Sequence, residues 1–226
     1  MSANYDHIDK IFFEDGYKLA KQHLNASLSN DNFLSLSEDI YHSIDALIEA
    51  LCQRLHSENR RLECKKACHW CCGQPVYANQ IEMNYLTEFI NKSFSGEKQK
   101  TIKDKAEAKR SVTKDLDFHQ QKQVKHFCPF LIDKICSVYK ARPMSCRIYL
   151  SMDIHSCIDN FHNPDDKDKY PKLYDFPLHA GRMLNEGVAA WLAEKDLILN
   201  ETPLENLIFT HFNKIDEFSN WVKSKK

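Results

Sequence analysis

Four cysteines lie within nine residues of the chain, at Cys64, Cys68, Cys71 and Cys72. Intervals of three, two and no residues bring several sulfur atoms into one small volume. A hydrophobic core gains nothing from this crowding, because Val or Ala would pack as well without the risk of oxidation. Convergent thiolates are the ligands that a soft metal ion prefers, so this segment indicates a metal or iron–sulfur site.

A second group of cysteines lies further along the chain, in a stretch rich in aromatic and apolar side chains. Its members are Cys128, Cys136, Cys146 and Cys157. With the first group they offer eight thiolates, enough for two tetrahedral four-cysteine sites, or for one iron–sulfur cluster and one mononuclear site. We therefore predict that all eight bind metal, either as zinc or iron ions or as a 4Fe-4S cluster.

The spacing leaves open which cysteines share a metal. The side chains of adjacent residues usually point apart, so Cys71 and Cys72 favour two metal ions, or a shared multinuclear centre, over one ion. Cys68 and Cys71 could bind one ion that Cys128 and Cys136 complete. Three histidines within two residues of a cysteine are possible substitute ligands: His69, His126 and His155.

Basic side chains flank several of these cysteines. A divalent ion with four thiolates carries a net charge of about −2, which nearby cations and N–H donors stabilise. Lys65 and Lys66 fit either this role or ordinary surface charge. Arg142 and Arg147 lie in an aromatic and apolar run, and we predict that they act as cofactor-binding residues, behind the ligands or through ion pairs.

The composition is that of a globular protein large enough to bury a core: 226 residues, of which 42% are apolar and 28% charged. A formal net charge of −1 provides no field that would recruit nucleic acid or an anionic membrane. Residues 101–125 carry seven basic against four acidic side chains, but without interleaved aromatics. We interpret them as a solvated helix face and expect a metal ion as the partner, with the protein partner unassigned.

We expect a cytoplasmic protein. The N-terminus lacks the basic and apolar regions of a signal peptide, and no apolar run approaches the ~18 residues of a spanning helix. Thiols stay reduced in the cytosol, and nine cysteines are an odd number, so a disulfide framework is disfavoured.

Apolar periodicity predicts helices before the cysteines. Residues 6–23 have an amphipathic pattern. The next helix begins at a capping box of Ser35 and Glu38 and carries an apolar stripe. Cys52 lies beside that stripe, and we expect it to be a small buried residue rather than a ligand.

Further helices are predicted after the first cysteines. Asn79 and Glu82 form a capping box for one of them, and residues 97–117 form a polar helix. Residues 159–172, rich in Asp, Asn and Pro, are a loop. A helix then runs from Tyr174 to about Glu194.

The last helical stretch, as one helix or two short ones, begins at a capping box of Thr202 and Glu205 and includes Ile215 on its apolar face. In the centre of the chain, a turn at Asp133-Lys134 indicates a small hairpin. Pro143 begins a short helix that brings Cys146 inward.

These elements predict a mainly α fold. Its helices pack around a cysteine-rich, largely irregular metal-binding segment with at most a small hairpin. We expect one domain over residues 1–226, with the metal-binding region at 60–160 and flanking helices at 1–59 and 161–226.

The cysteines belong to a longer set of motifs: Cys64-x₃-Cys68-x₂-Cys71-Cys72, Cys128-Pro129-Phe130-Leu131, Cys136-x-Val138-Tyr139, Arg142-Pro143-x-x-Cys146-Arg147-x-Tyr149 and Cys157. Over about residues 60–160 this set resembles the YkgJ-like CxxxCxxCC proteins, a family described as a zinc- or iron-chelating domain. The resemblance implies a bacterial cytosolic protein whose eight cysteines bind metal. Flagellin lysine N-methylases carry a similar cysteine cluster, so a cluster-containing protein methylase is the alternative function.

Other chemistries have less support. The spacing Cys64-x₃-Cys68-x₂-Cys71 also occurs in radical S-adenosylmethionine enzymes, but the adjacent Cys72 and the lack of βα alternation argue against that class. Cys71 and Cys72 could form a redox-active vicinal dithiol, although such a switch needs two or three cysteines rather than eight. No motif of a hydrolase or of a phosphate-binding loop is present in the sequence.

Overall fold

A computed structural model describes residues 6–65, 67–166, 168–213 and 217–224 of the chain. Most of these residues lie in helices, and their strands form two small two-stranded sheets, which confirms the mainly α fold. The helices are α1 (Asp6–Leu24), α2 (Asn30–Ser57), α3 (Gln80–Ser93), α4 (Gly96–Thr113), α5 (Phe118–Val124), α6 (Met144–Arg147), α7 (Ile154–His162), α8 (Asp175–Ala193), α9 (Leu204–Phe212) and α10 (Glu217–Lys223).

Both sheets are antiparallel pairs of two-residue strands. Strand β1 (Tyr77–Ala78) pairs with β4 (Thr202–Pro203), and β2 (Leu131–Ile132) pairs with β3 (Ile135–Cys136). The second pair is the small hairpin that the sequence predicts. Its turn residues, Asp133 and Lys134, have φ angles of 49° and 61°, the left-handed conformation that two-residue hairpin turns favour.

One hydrophobic core is built by α1, α2 and α8, with contributions from α6 and α10. Helices α1 and α8 run side by side in the same direction, since Asp9 contacts His179 near their N-termini and Tyr17, further along α1, contacts Glu194 at the end of α8. The buried side chains of this core include Phe33, Ile40 and Ile44 of α2 and Leu184, Val188 and Trp191 of α8.

Two glycines allow α1 and α8 to approach closely. A Cβ added at Gly16 would lie 2.1 Å from the carbonyl oxygen of Leu184, and one at Gly187 would lie 2.0 Å from that of Phe13. Only a residue without a side chain fits where two helix backbones touch.

A second hydrophobic core is built by α3, α4 and α9 together with the hairpin region. Helix α3 contributes to both cores, with Ile81 in the first and Leu86 and Ile90 in the second. Cys128, Cys136 and Cys146 pack against the second core, whereas Met144 of α6 belongs to the first.

The start of α3 confirms its predicted capping box. The Asn79 side chain accepts hydrogen bonds from the N–H groups of Ile81 and Glu82, and the Glu82 carboxylate accepts from the Asn79 N–H. The other Glu82 oxygen accepts from the Met144 N–H at 2.7 Å. One buried carboxylate therefore joins the first turn of α3 to α6.

Two other predicted caps are wrong. Helix α2 begins at Asn30, and its cap is Ser29, whose hydroxyl accepts from the Asn32 N–H, so Ser35 lies inside the helix. Helix α9 begins after Pro203 without a side-chain cap. Glu205 does not cap this helix, because its carboxylate pairs with Lys109 and Thr113 of α4.

Two further expectations need correction. Cys52 is exposed rather than buried, because it lies on the solvent side of α2. The loop predicted from residue 159 begins only after His162, where α7 ends.

Lys66 and Ile215 lie outside the described residues. Among the described helices, none is both long and apolar enough to cross a bilayer.

Candidate metal centre

The first four cysteines lie on an irregular segment that a 3₁₀ turn at Trp70–Gly73 closes. The Cys68 N–H donates to the Lys65 carbonyl, and the Cys72 N–H donates to that of His69. Gly73 leaves room for the ring of Phe161, which would lie 2.4 Å from an added Cβ. Because of these tight turns, Cys68, Cys71 and Cys72 do not lie on one continuous helix.

Four cysteines line one small cavity near the surface, and we name them the surface group: Cys64, Cys68, Cys71 and Cys157. Three come from the first cysteine segment, and Cys157 comes from α7. The cavity has a volume of about 10 Å³, which is room for one water-sized sphere. Tyr149 and Ser151 also line it.

Backbone contacts hold the two distant segments of the surface group together. The Ser151 N–H donates to the Cys64 sulfur at 3.2 Å, and the Glu63 N–H donates to the Ser151 carbonyl at 3.1 Å. Burial raises the pKa of the Cys64 thiol to about 11, against the lowering effect of the Ser151 N–H. The Cys64 thiol is therefore protonated at neutral pH.

The other four cysteines are half-buried and do not line the surface cavity, and we name them the buried group: Cys72, Cys128, Cys136 and Cys146. The Cys128 N–H donates to the Cys72 carbonyl at 2.7 Å, which ties the hairpin segment to the first segment. Cys136 lies on β3, and Cys146 lies on α6. Burial raises the pKa of the Cys128 thiol to about 12 and that of Cys146 well above its usual value.

Cys71 and Cys72 lie at the junction of the two groups. The Cys72 thiol donates a hydrogen bond to the Cys71 sulfur, which lowers the pKa of Cys71 and raises that of Cys72. The two thiols are thus in contact, although Cys71 lines the surface cavity and Cys72 lies with the hairpin cysteines. Cys128 and Cys136 do not line the cavity of Cys68 and Cys71, but Cys136 is close enough to Cys71 for the charge of Cys71 to raise its pKa, so the pairing considered from the spacing stays a prediction.

Three of the cysteines receive a backbone N–H from the residue two positions later in the chain. These donors are Trp70 for Cys68, Phe130 for Cys128 and Val138 for Cys136, and each lowers the thiol pKa that burial raises. Amide N–H groups directed at sulfur stabilise a thiolate. The donor set therefore fits a thiophilic ion such as zinc or iron.

The side chains do not form a finished coordination sphere. In the described part of the chain, no three His, Cys, Asp or Glu side chains are already arranged to hold an ion. The pKa of every thiol of the two groups except Cys71 is raised, by burial or, for Cys72, by its hydrogen bond to Cys71, which favours the protonated form. Metal binding would therefore require thiol deprotonation and rotation of the cysteine side chains.

The two arginines predicted to assist a cofactor occupy different environments. Arg142 is half-buried, donates to the Tyr139 carbonyl at 2.9 Å, and its charge lowers the pKa of Cys71, Cys136 and Cys146. Its guanidinium is therefore placed to stabilise thiolates at the junction of the two groups.

Arg147 is 1% exposed and makes its contacts on the side of α2. Its guanidinium donates to the Asp45 carboxylate and to the Lys140 and Arg142 carbonyls, and its Cζ lies 4.0 Å from the centre of the Tyr41 ring. Arg147 thus forms an ion pair, with Asp45, as one of the two roles predicted from the sequence. Its bonds to the two carbonyls hold the segment that carries Cys146.

One charged pair beside the buried group was missed by sequence reasoning. Lys109 and Glu205 are 4% and 0% exposed, and their charged atoms lie 3.4 Å apart. The Lys109 ammonium lowers the pKa of Cys128 and the Glu205 carboxylate raises it. The sequence could have indicated this pair, because Lys109 continues the buried stripe of Ile102 and Ala106 along α4.

Aromatic rings cover the surface group on one side. His69 stacks on Trp70 with ring centroids 5.0 Å apart, and Phe127 stacks on Phe161 at 5.4 Å. Trp70 contacts Phe161 edge-on at 5.3 Å. These rings exclude water from the cysteine segment, and they give His69 a packing role.

Comparison with known proteins agrees with the donor chemistry. The profile of the CxxCxxCC family, described as "Putative zinc- or iron-chelating domain", matches residues 63–171. The match covers just under half of the chain and contains all eight cysteines of the two groups. No curated protein and no solved structure matches the chain. Residues 63–171 are therefore similar to the CxxCxxCC family, and their cysteine donors agree with the zinc- or iron-chelating role in its description.

Proposed function

We propose that this protein binds zinc or iron through its eight cysteines, in two sites of four. The observation that carries the proposal is the single small cavity lined by Cys64, Cys68, Cys71 and Cys157, which come from two distant parts of the chain. The buried group, with its amide N–H donors and the Lys109 ammonium beside Cys128, supplies the second site. Reduced thiols are needed for both, so we place the protein in the cytoplasm.

The size of the cavity favours a single ion in the surface group. A volume of about 10 Å³ accommodates one ion, whereas a 4Fe-4S cluster would require the four sulfurs to move apart. A metal bound by the surface group would join α7 to the first cysteine segment. A metal bound by the buried group would join α6 to the hairpin and thereby stabilise the folded chain.

Substitution of single cysteines tests the proposal. Cys68→Ser should lose the metal of the surface group and Cys146→Ser that of the buried group, so each variant should contain about half the metal of the parent. Both should also unfold at a lower temperature. The measurement is elemental analysis with sulfide determination on anaerobically purified protein, together with thermal unfolding.

The matched control is Cys52→Ser, because Cys52 is exposed on α2 and belongs to neither group. It should retain the full metal content and the parent unfolding temperature. Equal metal loss in all three variants would contradict the division of the cysteines. A parent protein without metal after anaerobic purification and reconstitution would contradict the function itself.

Metal binding should release protons. The thiol pKa values of Cys64 and Cys128, about 11 and about 12, lie far above neutral pH, so these groups are protonated before they bind metal. Because metal and protons compete for the same sulfur, the apparent affinity for zinc should rise between about pH 6 and about pH 8, roughly one unit either side of neutrality. Calorimetric titration in two buffers of different ionisation enthalpy measures the released protons. A pH-independent affinity would contradict protonated thiols.

The methylase alternative stays a prediction from the resemblance. Turnover of S-adenosylmethionine with a lysine-bearing protein would support it.

A further inference from the structure

An open cleft of about 550 Å³ lies beside the surface group. This volume is in the range of small-molecule sites. The end of α2 and the loop that follows it form one wall, with His56, Arg60 and Arg61, and Tyr174 lines the cleft as well. The cleft is polar, and its cationic side chains outnumber its one carboxylate, that of Glu63.

Glu63 lines both this cleft and the cavity of the surface group. Its backbone is fixed beside Cys64, because the Glu63 N–H bonds to the carbonyl of the same Ser151 whose N–H bonds to the Cys64 sulfur. The Glu63 side chain is 24% exposed. Glu63 is thus the residue that the lining of the cleft and the lining of the sulfur cavity share.

The arginines of the cleft are held by weak pairs that a ligand can replace. Arg61 donates to Glu63 at 3.0 Å, and Arg60 donates to Glu58 at 3.2 Å, while the two arginine side chains are 83% and 54% exposed. Exposed pairs of this kind contribute little free energy. Guanidinium groups bind carboxylates in two-point contacts, so both are suited to an incoming carboxylate ligand.

We propose that the cleft binds a small polycarboxylate that carries the metal ion to the surface group, an inference that rests on the proposed metal binding. Arg60 and Arg61 bind the carboxylates of the carrier. Arg61 then gives up its ion pair with Glu63 and pairs with a carboxylate of the carrier. The released Glu63 carboxylate receives the ion next to Cys64. Each metal–oxygen bond that breaks is replaced by a metal–sulfur bond, the thiol proton passes to the departing carboxylate or to water, and no oxidation state changes.

Binding of citrate alone to the metal-free protein tests the anion site. The double variant Arg60→Met, Arg61→Met should bind citrate about tenfold more weakly than the parent, from two exposed charge contacts. The control is Arg54→Met, since Arg54 is 78% exposed and pairs with Glu58 but does not line the cleft. Calorimetry measures the affinities, and circular dichroism checks that every variant is folded. Equal affinity in the parent and the double variant, or binding of pyrophosphate but not of citrate, would overturn the inference.

Uptake of Co²⁺ tests the carrier role, with the thiolate-to-cobalt absorption as the readout. Co²⁺ is supplied as its citrate complex. Glu63→Gln and the double arginine variant should both take up Co²⁺ from this complex about tenfold more slowly than the parent. The final amount bound should be the same in all of them. A control variant, Glu88→Gln, removes a partly exposed carboxylate that pairs with Lys92 and lines neither the cleft nor the inner cavity, and it should load at the parent rate.

The outcomes separate this inference from the function. Equal uptake rates in the parent, Glu63→Gln and the double variant would overturn the carrier role, as would a lower final amount of Co²⁺ in Glu63→Gln. A parent that binds citrate but never takes up Co²⁺ would overturn the metal-binding function together with the carrier role. A parent that takes up Co²⁺ but does not bind citrate would overturn only the inference.

Discussion

Replacing Gly187 with Ala is expected to lower the free energy of unfolding by about 3 kcal/mol, a large cost for an overpacked core. The new Cβ would lie 2.0 Å from the Phe13 carbonyl oxygen and 2.7 Å from the Tyr17 nitrogen. Both are backbone atoms of α1, so no side-chain rotation relieves the clash and the two helices must separate. The midpoint of thermal unfolding should fall by roughly 10 °C.

Gly96→Ala is the matched control, because a Cβ there meets no atom within 4 Å. Gly96 is the first residue of α4, and alanine should leave the unfolding midpoint unchanged or slightly raise it. Gly16→Ala should behave like Gly187→Ala, since its Cβ would lie 2.1 Å from the Leu184 carbonyl oxygen. If Gly187→Ala and Gly96→Ala unfold at the same temperature, the close approach of α1 and α8 is wrong.

Replacing Arg147 with Met is expected to cost about 3 kcal/mol of stability without changing the metal bound per folded molecule. Methionine fills much of the same space but leaves the Lys140 and Arg142 carbonyls without their donor. Asp45 is half exposed, so the ion pair itself contributes little of this cost. Denaturant unfolding measures the stability, and elemental analysis of the folded fraction measures the metal.

Arg142→Met should show the opposite pattern. Its side chain is only half-buried, so the unfolding free energy should change by less than about 0.5 kcal/mol. Its charge acts on Cys71, Cys136 and Cys146, so the affinity for zinc should fall. If Arg147→Met lost metal but kept the parent stability, the prediction would be contradicted, and Arg147 would act directly on the bound metal.

Local signals in the sequence predict some elements well. The cap of α3 was predictable because Asn79 and Glu82 bond to each other's backbone within one turn. The start of α2 was not, since its first turn is polar and the apolar stripe that suggested Ser35 begins later than the helix. The hairpin turn at Asp133 and Lys134 was found from the polar pair between two apolar runs.

Contacts between distant segments could not be predicted from spacing. Nothing near Cys64 indicates that its sulfur accepts a hydrogen bond from Ser151, 87 residues away. The grouping of Cys157 with Cys64 depends on this contact and on the position of α7. Glu205 fits the pattern of a cap, but the buried Lys109 of α4 offered its carboxylate a stronger partner.

The pairing of α1 with α8 has a consequence for synthesis. Residue 13 meets its neighbour only when residue 187 has left the ribosome, so the first core closes near the end of translation. Contacts of such sequence separation are slow to form. Until then all nine cysteines of the nascent chain, eight of them members of the two groups, have been synthesised without the first core to position them.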